Sequence, residues 1–403
     1  MAAKVGVESP GWNTGAAFFD ADGDGFLDLY VASYIDCALD DVLSAKRTLD
    51  WRGLEKVAVG PFGLKGAPDH FFRSVGGTRF VDATVEAGLQ DRARGFGFAV
   101  RAVDFDGDCK MDLYVANDSD PNYLYRNEGN GKFKEMGTWS GSALDGNGAA
   151  QASMGIAVGD ATGDGILDVF VTNFSEDFST FYRGLGNLLF EDASRETGVG
   201  PPTFKPLSWG TAFADFDNDG DLDLVVANGH IYPQIDRHPA LIGTMAQRNL
   251  LLENQGPGAA TVFRDVTEEA GPAFEALWSS RGLAVGDFDN DGRMDILVSH
   301  EDATPSLLHN ESRAASWLTV VCEDLRGATD PIGTVVTVTA GGRKQQRDIA
   351  SGDSYLSSHD PRPHFGLGPL EKVEEVDVRW PDGTHSIRRN VATRQFLKVR
   401  KGT

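Results

Sequence analysis

Cysteine is scarce in this chain of 403 residues: Cys37, Cys109 and Cys322 are an odd number, spread far apart, and leave the redox compartment open. Long apolar runs are absent, so no segment reads as a membrane-spanning helix, and no long amphipathic helical pattern occurs either. The eight histidines fall in no triad or zinc spacing; His359 and His364, around Asp360 and two prolines, come nearest to a cluster. No Gly-x-Ser-x-Gly elbow and no phosphate-binding loop appears. Positive charge is short too. With 37 Lys and Arg against 60 Asp and Glu the net charge is −23, which disfavours nucleic acid and anionic membranes as partners.

What the chain has in quantity is aspartate at fixed spacing. Positions one, three, five and nine of a nine-residue loop are acidic in Asp20, Asp22, Asp24 and Asp28, and again in Asp104, Asp106, Asp108 and Asp112. The third copy reads Asp160, Thr162, Asp164 and Asp168, the fourth Asp215, Asp217, Asp219 and Asp223, the fifth Asp287, Asp289, Asp291 and Asp295. Like charges brought so close repel, and a hard cation with oxygen ligands reverses the sign of that term. The pattern therefore predicts up to five Ca²⁺ ions. An EF-hand is excluded, because its twelfth position must be a bidentate Glu and here it is Val31, Val115, Val171, Val226 and Val298. Copies one, four and five are expected to bind best: copy three has Thr162 for a carboxylate, and copy two has Cys109 where the others have glycine. Five divalent ions would offset ten of the negative charges.

Each loop is followed by a short run that is apolar on both faces, such as Leu113-Tyr-Val-Ala116, and preceded by another, such as Met154-Gly-Ile-Ala-Val158. Such runs read as sandwiched strands, and the loop between them as the turn of a hairpin. A second repeated element follows: Phe71-Phe-Arg-Ser to Phe80, Leu124-Tyr-Arg-Asn to Phe133, Phe181-Tyr-Arg-Gly to Phe190, Leu251-Leu-Glu-Asn to Phe263, and, in part, Leu307-Leu-His-Asn310. Inner plus outer hairpin makes four strands, one blade of a β-propeller. Loop-to-loop spacings of 84, 56, 55 and 72 residues imply a unit of about 55 with insertions at Cys37–Asp69 and Gly229–Arg248.

These blades resemble the FG-GAP or VCBS repeats of integrin α-chain propellers and of secreted bacterial proteins. Towards the C-terminus, Asp330-Pro-Ile-Gly-Thr, Ser351-Gly-Asp-Ser-Tyr-Leu-Ser357, His364-Phe-Gly-Leu-Gly368 and Val378-Arg-Trp-Pro-Asp-Gly383 resemble the ASPIC and UnbV domain, which follows such repeats in the cartilage acidic protein family. The resemblance covers roughly residues 12 to 400. It implies an all-β propeller over residues 1–314, seven-bladed in the complete fold with five repeats visible here, and a small β-rich domain over 315–403. It also implies secretion, or a periplasmic or cell-surface location, and no established catalytic activity. Family members carry a cysteine pair in the first insertion; Cys37 is present, but Val59 stands where its partner is expected. Met1–Gly11 lacks the apolar core of an export signal, so an N-terminal truncation is expected.

In the C-terminal part, Trp317–Val321, Val335–Thr339, Val376–Trp380 and Phe396–Val399 read as strands, with Pro381-Asp-Gly383 a turn. Its basic residues, Arg343, Lys344, Arg347, Arg388, Arg389 and Arg394, form a solvated face or else dock on the acidic propeller or an anionic glycan. Five residues after each closing aspartate stand Ser33, Asn117, Asn173, Asn228 and His300. They either cap turns or make a polar ring at the channel mouth, with Asn117, Asn173, Asn228 and His300 as candidate ligand-binding residues. The function expected is a monomeric, non-catalytic, calcium-dependent module that binds an extracellular or cell-surface protein or glycan. The alternatives are a glycan-active hydrolase or lyase, or a lectin, on the same ring.

Overall fold

The computed structural model describes residues 2–44, 48–51, 53, 55–58, 60–91, 94–238, 243–257, 262–313 and 315–402. The aspartate loops are hairpin turns, as the sequence predicts. Blade one comprises Asn13–Phe19, Asp28–Ser33, His70–Val75 and Arg79–Asp82, hydrogen-bonded in chain order. Blades two to four follow the same plan, beginning with Gly97–Val103, Ile156–Gly159 and Ser208–Ala214. Blade five has three strands, Ser280–Gly286, Asp295–His300 and Ala303–Leu308. Register is the same throughout: the closing aspartate pairs with the residue before the first one. The pairs are Phe19 with Asp28, Val103 with Asp112, Gly159 with Asp168, Ala214 with Asp223 and Gly286 with Asp295.

Why the second strands are apolar on both faces is now plain. Tyr30 and Phe71 of blade one pack with Leu113, Val115 and Phe133 of blade two, and Tyr114 and Leu124 of blade two with Val169 and Phe190 of blade three. Two further clusters join blades three to four and four to five. The outward face of blade five has no such partner among the described residues, and Leu297 and Leu307 stand about half exposed there.

The C-terminal domain is a sandwich. Ser316–Glu323 runs parallel to Gln395–Arg400 and antiparallel to His364–Gly368. The second sheet orders Arg343–Asp348, Val335–Ala340, Lys372–Arg379 and His385–Ala392. Trp380, Val336, Val376 and Phe365 fill the core between the sheets.

This domain sits on the loop end of the propeller. Trp317 lies against Gly292, the sixth residue of loop five, whose φ of 87° admits glycine and where a Cβ would overlap the indole. His364 is buried between Asn218 of loop four and Thr319 of its own domain. Arg343 pairs with Asp221, and Arg362 reaches Asn290 and the carbonyl of Asp287. The basic residues thus divide: Arg343 and Arg347 face aspartate loops, whereas Lys344 and Arg389 stay exposed.

From the sandwich, residues 348–360 pass into the axis of the propeller and touch the inner strand of all five blades. Ser351 Oγ accepts the amide of Phe18 (3.3 Å), and Gly352 lies where a Cβ would come within 2.6 Å of the Ala16 carbonyl oxygen and 2.9 Å of that of Val100. Arg101 of blade two pairs with Asp348 (2.7 Å) and Asp353 (2.8 Å). Ser354 exchanges backbone hydrogen bonds with Ile156 of blade three, and its hydroxyl accepts the amide of Thr211 in blade four (2.9 Å). In blade five, Val285 donates to His359 Nδ1 (3.3 Å) and accepts from the amide of Asp360 (2.9 Å). The inner edges of five sheets would otherwise present unpaired backbone groups to the channel. One segment satisfies part of four of them and ties down the other through the Arg101 guanidinium. We refer to it as the strap.

At the end of the blades away from the aspartate loops the two insertions meet. Thr48–Trp51 and Glu55–Ala58 form a hairpin, and Val57 and Leu49 pack with Tyr232, Ile235, Ile231 and Phe174. The three cysteines are free; Val59, the position expected for a disulfide partner, lies outside the described residues.

Candidate metal centres

The loops hold their shape through the same backbone contacts in each copy. The first aspartate accepts the amide of position six: Gly25 to Asp20 (2.8 Å), Cys109 to Asp104 (3.0 Å), Gly165 to Asp160 (3.0 Å), Gly220 to Asp215 (2.9 Å) and Gly292 to Asp287 (2.9 Å). Position five accepts the amide of position seven, as in Asp24 with Phe26 and Asp291 with Arg293. Amide donation fixes each carboxylate and turns its remaining lone pairs to a common point.

Carboxylate oxygens converge accordingly. Oxygens of Asp20, Asp22 and Asp28 lie within 4.8 Å of one another, as do those of Asp104, Asp106 and Asp108, of Asp215, Asp217 and Asp223, and of Asp287, Asp289 and Asp291. Asp289 and Asp295 also converge with His309. Asp24, Asp112 and Asp219 fall outside these groups, and loop three (Asp160, Thr162, Asp164, Asp168) forms none among the described residues. Thr162 Oγ1 there is buried with no hydrogen-bond partner, as is Asp104 Oδ1 in loop two. Converging carboxylate oxygens of this kind are the donor set a hard cation takes.

Burial raises the cost of leaving this charge unneutralised. It pushes the carboxyls of Asp28 up to about 6, Asp112 to about 8 and Asp168 to about 7, each against backbone amides that pull the other way. Asp215 is pushed up to about 7 by burial, with Asp219 adding like charge.

The closing aspartate has a second task that spacing alone did not reveal. Its Oδ2 accepts an amide within its own loop, from Ala21, Phe105, Ala161, Phe216 or Phe288. Its Oδ1 accepts one from the outer hairpin, from Ser74, Asn127, Gly184, Asn254 or Asn310. It is a staple as well as a candidate ligand.

The asparagines at that outer position extend the staple to the neighbouring blade. Asn127 donates to Ala21 O of blade one (3.0 Å), Asn254 to Ala161 O of blade three (2.8 Å), and Asn310 to Phe216 O of blade four (2.7 Å). Their recurrence after Arg126, Glu253 and His309 was visible in the sequence; their role was not. Asn254→Ala would orphan the buried carbonyls of Ala161 and Leu222, at a cost of about 3 kcal/mol. The expected result is a lower denaturation midpoint with unchanged calcium binding, and an unchanged midpoint would dismiss the staple.

The candidate polar ring is corrected by the structure. Asn117, Asn173 and Asn228 are fully buried, each amide donating to a carbonyl of its own blade: Pro121, Phe178 and Arg248. His300 is buried too, stacked on Trp278 and bonded to Ser280 and Ser306. These side chains cap turns and present no ring to a ligand. His359 and His364 are packing residues of the strap and the domain contact; burial lowers the His364 pKa to about 3, which keeps it neutral.

Comparison with known proteins adds the following. The FG-GAP-like repeat model matches residues 104–171, 160–226 and 236–298, and the ASPIC and UnbV model matches 325–403. Cartilage acidic protein 1 of Mus musculus is 27% identical over 402 residues, 98% of this chain and 55% of that protein. The Homo sapiens protein is 27% identical over 325 residues, 79% of this chain and 45% of the relative. The chain thus spans about half the length of these relatives. A solved rhamnogalacturonan lyase, YesW, aligns at a TM-score of 0.37 and 13% identity, covering 94% of this chain and 64% of that one.

Proposed function

For a chain that joins FG-GAP-like repeats to an ASPIC and UnbV domain and is related to the cartilage acidic proteins, we propose a calcium-stabilised, extracytoplasmic interaction module. The observation that carries the reading is the convergence of carboxylates in four of five hairpin turns at one end of the ring. Asp20, Asp22 and Asp28, Asp215, Asp217 and Asp223, and Asp287, Asp289 and Asp291 would hold the ions. Bound calcium would supply positive charge to buried carboxylates and cross-link the turn. The chain's own residues do the rest: amides orient the ligands, and the staples pass the loop's rigidity to the outer hairpin and the next blade. Extracellular calcium modules bind with Kd of about 10⁻⁴ to 10⁻³ M, which suits a location outside the cytosol.

A partner would be a protein or glycan on a cell surface or in the matrix. The strap counts against the enzymatic alternative, since it occupies the central channel and leaves beside Arg101 a cavity of about 120 Å³, small for a ligand pocket. The test is binding of the purified chain to immobilised glycans and matrix proteins, with calcium and with excess chelator, alongside an assay for glycan turnover. Calcium-dependent binding without turnover is the expected result. Turnover would replace this reading with a hydrolase or lyase.

A further inference from the structure

Loop two differs from its four counterparts in what surrounds it. Arg379 of the C-terminal domain reaches Asp104 with Nη2 (3.0 Å) and Cys109 Sγ with Nη1 (2.9 Å). Arg126 of the outer hairpin pairs with Asp106 (3.0 Å), and Lys110, at position seven, pairs with Asp108. All three carboxylates that converge in this loop therefore have a cationic side chain of the protein itself. Elsewhere the count is lower. Among the described residues no ion pair reaches the loop-one or loop-three carboxylates; in loop four Arg343 pairs with the non-convergent Asp221, while Arg347 faces Asp215 and Asp160 without forming an ion pair; and in loop five Arg293 and His309 leave Asp287 without one.

We propose that loop two takes no calcium while the two domains are docked, its place being held by the protein's own cations, with Arg379 as the one supplied from the C-terminal domain. This rests on the reading that the other loops bind calcium. Calcium requires its oxygen ligands at about 2.3–2.6 Å, and a guanidinium held by the same Asp104 carboxylate would sit within a few ångströms of it, where like charges repel. Side-chain chemistry at position six agrees. Cys109 adopts φ 67°, and its side chain gives Arg379 a second contact that a glycine could not. Asp104 Oδ1 stays buried and unpartnered, so Arg379 is the counter-charge on which that carboxylate depends. Loop two is then a domain lock in the shape of a calcium loop. Cation binding there and docking of the sandwich compete for Asp104.

The first test uses crystals of the unaltered chain grown in millimolar calcium, with ions located by anomalous scattering. Ions at loops one, four and five and none at loop two are expected. An ion at loop two overturns the proposal. No ion at any loop would instead defeat the calcium reading itself, a distinguishable failure. The second test is calcium titration of the double variant Arg379→Gln with Lys110→Gln, checked for folding by circular dichroism. A folded variant should bind one more equivalent than the parent; no gain would overturn the lock.

Discussion

Excess chelator lowers the melting temperature of the purified chain by about 7 °C or more relative to millimolar calcium. The magnitude follows from mass action. A site held at ten times its Kd adds about 1.4 kcal/mol, so the three independent sites at loops one, four and five add roughly 4 kcal/mol, close to the lower end of a typical domain's whole stability. At about 2 cal/mol/K of unfolding entropy per residue, that energy over some 300 propeller residues corresponds to roughly 7 °C. The cost of leaving charge unneutralised in emptied loops enlarges the shift, because burial already holds Asp28 and Asp215 above their ordinary pKa. Calorimetry with and without chelator decides it. An unchanged melt would mean that the loops are plain Asp-Gly turns held by their own amides.

Replacing Arg101 by Met destabilises the chain by about 3–5 kcal/mol, as expected when one partner of a buried ion pair is removed. Arg101 is 4% exposed, and Asp348 and Asp353 both look to it for counter-charge. Its loss strands two carboxylates beside a cavity of about 120 Å³ lined by Val158, Phe213 and Val285. The triple variant that also carries Asp348→Asn and Asp353→Asn should recover most of the loss, since the charges are then removed together. Denaturant unfolding of the two variants reads both numbers. A cost under about 1 kcal/mol for Arg101→Met would make the strap a passive filler.

How far the sequence disclosed all this depends on how local each signal was. The loops were legible because their four acidic positions lie within nine residues, and a nine-residue turn between two apolar runs can hardly be other than a hairpin. The outer hairpins were legible from recurrence at a fixed offset. The strap was not, because Ser351–Ser358 has neither strand nor helix periodicity, and its partners Arg101 and Ile156 lie some two hundred residues upstream. The strands Arg343–Asp348 and His385–Ala392 were passed over for another reason. They are flanking strands of their sheet with mostly polar side chains, and only Gln345, Ser386 and Val391 are buried in them. Asn117, Asn173 and Asn228 illustrate the reverse. Their spacing was read correctly, but a polar side chain at a strand end satisfies a turn carbonyl as readily as a ligand, and burial alone separates the two.

The strap also sets an order of events during synthesis. Each blade is assembled from neighbours in sequence and can form as soon as its own residues have left the ribosome, a matter of short loops and fast hairpins. The axis cannot. Ser354 must meet Ile156, and Asp353 must meet Arg101, after the intervening blades have emerged, so the inner edges of the sheets wait through most of translation. A nascent chain stalled before residue 348 would carry finished blades around an open centre, with five unpaired strand edges available to any other chain nearby.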